Sequence, residues 1–152
     1  MKNMDSLNRR RRLMWHGILI FLLGLLTGFV IPALTNPHMG VSAHLNAVMG
    51  GGFLVSLGLI WRELRTSQKV ATAIFWIAIL GTYINWVFTL LGGILGTSRL
   101  TPLAGSGFSA PVWQENLIAA GLIPMTVSMV ICLALVLRGL GGRSPADGQK
   151  YT

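Results

Sequence analysis

A chain of 152 residues that is 53% hydrophobic and only 11% charged falls far below the roughly 25% charged residues of ordinary soluble domains, which excludes a water-soluble fold. Its formal net charge of +8 would suit nucleic acid if the basic residues striped a soluble surface; they cluster between apolar runs instead, so no nucleic-acid partner is expected. The single cysteine, Cys132, lies in an apolar run, which leaves no intrachain disulfide or cysteine-based metal site and reads as a small buried hydrophobe.

In chain order, Lys2, Arg9, Arg10, Arg11 and Arg12 precede the first apolar stretch, 13–34. That stretch is too long for a signal peptide, has no small-residue cleavage site and ends at Ile31, Pro32, Ala33 and Leu34, where proline stops a helix. It is therefore read as a retained spanning helix. A tight turn containing Asn36, Pro37 and His38 leads to a second span, 43–61. The basic RELRTSQK loop follows, then a third span, 70–95. A longer Gly-, Ser- and Pro-rich segment, 96–113, precedes the fourth span, 117–137, and is long enough to cover a site. From Gly139 the chain turns polar and glycine-rich, so 139–152 is expected to be a mobile tail.

Each apolar stretch meets the roughly 20 residues that a spanning helix requires. Eleven of the twelve basic residues lie on one side of these spans and only Arg99 lies opposite. The positive-inside rule then puts both termini and the RELRTSQK loop in the cytoplasm. The expected fold is all-α: an integral membrane four-helix bundle, one four-span domain over 1–152, in contact with membrane lipid. Small residues four apart, such as Gly24 and Gly28, Ala43, Ala47 and Gly51, and Gly92 and Gly96, permit close helix approach within one bundle or between subunits.

Polar side chains inside a bilayer are costly and call for a reason. His44 and Asn46 on the second helix, Tyr83 and Asn85 on the third, and Gln114, Glu115 and Asn116 opening the fourth are the candidates. At 1.5 Å per residue, His44 lies roughly 27 Å from Arg62, Asn85 roughly 24 Å from Lys69 and Glu115 roughly 34 Å from Arg138, all in the outer half. Glu115 is either a helix-start charge favoured by the dipole or a proton-transfer and ligand-binding group. Tyr83 and Asn85, flanked by Trp86, serve either a site or interhelical hydrogen bonding. His16 is expected at headgroup level and His38 in the outer turn. His44, within an apolar helix, has the setting of an axial heme ligand.

The stretch 15–86, and above all HGILIFLLGLLTGFVIPAL from His16, GVSAHLNAVMGG from Gly40 and GTYINW from Gly81, resembles the hydroxylaminobenzene mutase family of small four-span bacterial membrane proteins. It is more distantly similar to styrene oxide isomerase. The resemblance implies rearrangement of an arylhydroxylamine to an aminophenol, with no external oxidant or reductant, in the bacterial inner membrane. It also implies heme b with His44 as its iron ligand, Asn85 as a site residue, and a homotrimer with heme near subunit contacts. Tyr83, Asn46 and Glu115 complete the expected catalytic set, and Trp86 and Gly51 are placed beside the cofactor. Styrene oxide isomerase carries an Asn where this chain has Gly50 and a Tyr where it has Thr89, which counts against the epoxide reaction. Epoxide isomerisation remains one alternative, and a small transporter or structural membrane subunit is another.

Overall fold

The structure is a computed structural model and describes residues 2–105 and 107–141. Most of the tail expected to be mobile, from residue 142 onward, lies outside the described residues. Four long helices make up the chain: α1 (Lys2–Val30), α2 (Pro37–Ile60), α3 (Gln68–Leu95) and α4 (Val112–Leu140). Single 3₁₀ turns at Ile31–Ala33 and Trp61–Glu63 follow α1 and α2. Each helix carries an apolar window long enough to cross a bilayer, and no strand occurs among the described residues. The chain is a multi-pass membrane protein.

Helix limits follow local chemistry rather than the apolar runs alone. α1 begins eleven residues before its apolar stretch because the arginines ahead of it are themselves good helix formers. Asn36 caps α2, its Oδ1 accepting from the N–H groups of His38 at 3.0 Å and Met39 at 3.2 Å, with Pro37 in the first turn. Ser67 caps α3 through Val70 N–H. Gly96, at φ 71°, ends it in the left-handed conformation that glycine adopts without strain.

The tightest seam is between α1 and α2. A methyl group on Gly51 would lie 2.7 Å from the Gly17 carbonyl oxygen, and one on Gly17 would lie 2.8 Å from that of Gly51. Farther along, Gly24 meets Ala47. These small residues thus serve packing within one chain. α2 packs on α3, with Gly50 against Thr82 and Met39 against Gly92, and α3 packs on α4, with Gly121 under the Phe88 ring. α1 also touches α3, whereas α4 docks chiefly on α3. A groove therefore runs between α2 and α4 with α3 as its floor. Leu13, Ile20, Leu54, Leu57, Ile74, Phe75, Ala78 and Cys132 form the buried centre.

Both ends of the described chain reach the same end of the bundle. Arg9 donates to Thr72 Oγ1 at 2.9 Å, joining the starts of α1 and α3, and Arg65 N–H donates to Gly139 O at 3.0 Å, joining the α2–α3 turn to the last turn of α4. At the opposite end, Asn36 N–H donates to Gly93 O and its side-chain amide donates to Ala104 O, each at 2.9 Å.

Candidate functional site

Two clefts occupy the α2–α4 groove and share Asn46 and Asn85. The first, of about 270 Å³, is lined by Met49, Gly50, Phe53, Thr82 and Met129 besides the two amides. The second, of about 510 Å³, adds Ser42, Thr89, Leu100, Thr101 and Met125. An apolar trough with a few convergent polar groups suits a small aromatic molecule carrying one polar substituent. Leu100 and Thr101 come from the long 96–111 segment, which therefore covers the outer end of the groove.

The polar centre is an amide and hydroxyl cluster. Asn46 Nδ2 donates to Thr89 Oγ1 at 3.1 Å and, at a long 3.5 Å, to Asn85 Oδ1. Thr89 Oγ1 in turn donates to Asn85 O at 2.7 Å. With these bonds made, Asn85 keeps its Nδ2 donors and Asn46 keeps its Oδ1 acceptor for a ligand. Thr89 was absent from the expected set although its spacing of four from Asn85 puts both on one face of α3, the signal that identifies it.

The remaining expected residues lie elsewhere. His44 and Asn46 are two positions apart on a helix that turns about 100° per residue, so they leave α2 on nearly opposite sides. Asn46 faces α3, while His44 faces α1, its Nδ1 2.7 Å from Gly24 O. A carbonyl oxygen can only accept, so Nδ1 carries the proton and Nε2 keeps its lone pair. A methyl group on Gly28 would lie 3.3 Å from His44 Nδ1, so glycine there leaves room for the ring. Gly51 sits at the α1–α2 crossing described above. Tyr83 turns away from Asn85 and its hydroxyl pairs with His16 Nδ1 at 3.2 Å. His16, expected at headgroup level, is drawn into the helix packing by that bond. Trp86 faces α1 and donates from Nε1 to Thr27 Oγ1 at 3.0 Å.

Glu115 is only 7% exposed and is bound to the covering segment. Its two carboxylate oxygens accept from Ser98 N–H at 2.9 Å and Arg99 N–H at 3.1 Å, and the Arg99 side chain donates to Asn116 Oδ1 at 2.8 Å. The carboxylate thus closes the loop onto the first turn of α4 and lines neither cleft.

Residues 9–141 match the family model described as styrene oxide isomerase. The chain belongs to the styrene oxide isomerase family. Two curated relatives, both from Ectopseudomonas oleovorans, carry a different name. Hydroxylaminobenzene mutase HabB is 47% identical over 131 residues, covering 86% of this chain and 80% of the relative. Hydroxylaminobenzene mutase HabA is 33% identical over 125 residues, covering 82% and 93%. No solved structure matches the chain. Membership of this family makes the chain an enzyme of the isomerase and mutase class, which displaces the transporter and structural-subunit readings.

Proposed function

We propose that this enzyme rearranges an arylhydroxylamine to an aminophenol by intramolecular hydroxyl transfer, with heme b held by His44. The observation that carries the heme assignment is the imidazole's hydrogen bond to Gly24 O. Metal-ligating histidines commonly donate their second nitrogen to a carbonyl, which fixes the tautomer and raises the basicity of the ligating one. The described residues hold no cluster of three or more His, Cys, Asp or Glu side chains; heme needs only one protein donor because the porphyrin supplies four of its own. The residues at His44 therefore fit the group. When bound, the iron supplies a Lewis acid that weakens a substrate N–O bond without net redox change.

The chain's own residues account for orientation. Asn85 Nδ2 donates to the hydroxyl oxygen of the substrate, and Asn46 Oδ1 accepts from the N–H or O–H of the same group. Thr89 holds the Asn46 amide by accepting from its Nδ2, and Asn46 in turn donates to Asn85 Oδ1. Apolar walls from Phe53, Met129 and Met125 hold the ring and exclude water, which would otherwise capture an electron-poor ring carbon. The N–O bond breaks, a ring C–O bond forms, and the displaced ring proton ends on nitrogen, so atoms and electrons balance within one molecule.

His44 and the amide groove leave α2 on opposite sides, which supports a site completed between copies of the chain in a homotrimer: His44 of one subunit opposite the Asn46 and Asn85 of its neighbour. The basic cluster at the end shared by the starts of α1 and α3 supports an inner-membrane orientation with both termini cytoplasmic.

The test is the visible spectrum and phenylhydroxylamine turnover of detergent-purified protein beside its His44→Ala variant. A Soret band and turnover lost together support the reading. Wild-type turnover by a colourless His44→Ala protein overturns it. The family model favours a second substrate, styrene oxide, so the same preparation is offered it, and phenylacetaldehyde as the faster product would assign the epoxide reaction instead.

A further inference from the structure

A second cavity lies far from the amide groove, at the end of the bundle where the chain's arginines gather. It measures about 640 Å³ and is lined by Arg9 and Arg62, by Ser6, Thr66 and Gln68, and by an apolar wall that includes Leu7, Trp61 and Leu64. Its size lies within the range of true ligand sites. Nothing in the isomerase reading uses it.

The guanidinium of Arg9 is only partly satisfied. Nη2 donates to Thr72 Oγ1 at 2.9 Å and the group lies 5.9 Å from the Phe75 ring centroid. Nη1 is buried without a hydrogen-bond partner, as is Nε of the adjacent Arg10. A buried N–H that belongs to a charged group and has no acceptor is costly, more so than a neutral one. Arg62 is exposed, and no carboxylate among the described residues pairs with it or with Arg9. The wall therefore presents two cations, Arg9 and Arg62, beside hydroxyl and amide groups and next to apolar surface.

An anion with several acceptor oxygens satisfies such a wall, and phosphate matches the planar guanidinium fork. Position narrows the source. The cavity lies at the boundary where the apolar span of α1 begins, Arg9 standing about one helical turn before the buried Leu13, and Leu7, Trp61 and Leu64 give it a side on which acyl chains can lie. Clusters of Lys and Arg beside spanning helices are the sequence mark of anionic lipid binding.

We propose that this cavity binds the phosphodiester of an anionic phospholipid of the phosphatidylglycerol type, whose headgroup ties α1, the α2–α3 turn and the start of α3 together. The proposal does not depend on heme or on the substrate assigned above.

The experiment uses the full-length protein in mixed micelles containing either phosphatidylglycerol or phosphatidylcholine with identical acyl chains, read by native mass spectrometry and by melting temperature. Wild type retains phosphatidylglycerol preferentially and melts higher in its presence. Arg62→Gln, an exposed change that leaves folding intact, lowers that retention by about fivefold or more, the loss expected for one charge-assisted contact. Arg9→Gln lowers it further. Arg138→Gln, on the same end but outside the cavity lining, retains lipid as wild type does. Equal retention of both lipids, or an equal loss in Arg138→Gln, overturns a defined site in favour of diffuse charge attraction. Inorganic phosphate that raises the melting point as much as the lipid does, and displaces it, overturns the lipid as occupant.

Discussion

Glu115 and Asn85 are both polar residues near the outer ends of spanning helices, yet their surroundings assign them different work. Both Glu115 oxygens are already engaged by the Ser98 and Arg99 amides, so Glu115→Gln should lower stability by about 1–3 kcal/mol through loss of a charge-assisted contact while kcat stays near wild type. Chemical denaturation and a single saturation curve check both halves. Asn85 keeps a free donor pair facing the groove, so Asn85→Leu should reduce turnover about a hundredfold or more, the scale of losing one donor at a developing oxyanion, with helix content unchanged by circular dichroism. The sequence marked these residues as unusual because hydrocarbon penalises them, but their partners depend on how each helix is rotated. Tyr83 and Asn85 stand two apart and so face different neighbours, His16 on α1 and Asn46 on α2. That rotation is fixed by packing, which no single span displays. Thr89 enters the sequence reading only as the position where styrene oxide isomerase carries a Tyr, because a threonine in an apolar helix usually bonds its own preceding turn, as this one also does.

At the scale of elements, the four spans were legible because hydrocarbon demands about 20 apolar residues and charges mark where they end. Their neighbours were not. Small residues four apart allow close approach without saying to whom, and Gly17, Gly24 and Gly51 make that approach between α1 and α2. Two adjacent glycines test this. A methyl group on Gly51 would lie 2.7 Å from the Gly17 carbonyl, whereas one on Gly52 has nothing within 4 Å. Gly51→Ala should therefore destabilise the protein by about 1–3 kcal/mol through overpacking. Gly52→Ala should stabilise it by up to about 1 kcal/mol, because alanine is the better helix former. Because Gly24 and Gly28 lie against His44 on the same seam, Gly51→Ala also shifts the Soret maximum or lowers heme occupancy in the proposed holoenzyme, an effect that Gly52→Ala lacks. Identical melting curves for the two variants would contradict the seam as drawn.

For the whole molecule, the decisive feature is that the proposed iron ligand and the amide cluster leave α2 on opposite sides. A bundle in which α4 closed against α1 would bring all candidates into one interior; here α4 docks chiefly on α3, and the α2–α4 groove opens outward. Much of the apolar surface left exposed, including Ile123, Val127, Val130 and Leu137 on α4, faces lipid or a neighbouring copy. If His44 of one subunit serves the groove of the next, two different inactive proteins should repair each other. His44→Ala subunits keep an intact groove, and Asn85→Leu subunits keep an intact histidine. Co-expressed in equal amounts as a closed ring of three, they form a competent junction wherever an Asn85→Leu subunit offers its histidine to a His44→Ala groove, about one junction in four for random mixing of a head-to-tail ring. Turnover should therefore return to about a quarter of wild type per subunit, with about half of the heme retained, since only one parent carries the ligand. A site built within single chains predicts no recovery at any mixing ratio, because every subunit then lacks one essential group. The dependence on mixing ratio adds a second check: activity from shared junctions peaks at equal amounts and falls towards zero at either extreme, whereas residual activity of one parent varies linearly with its share.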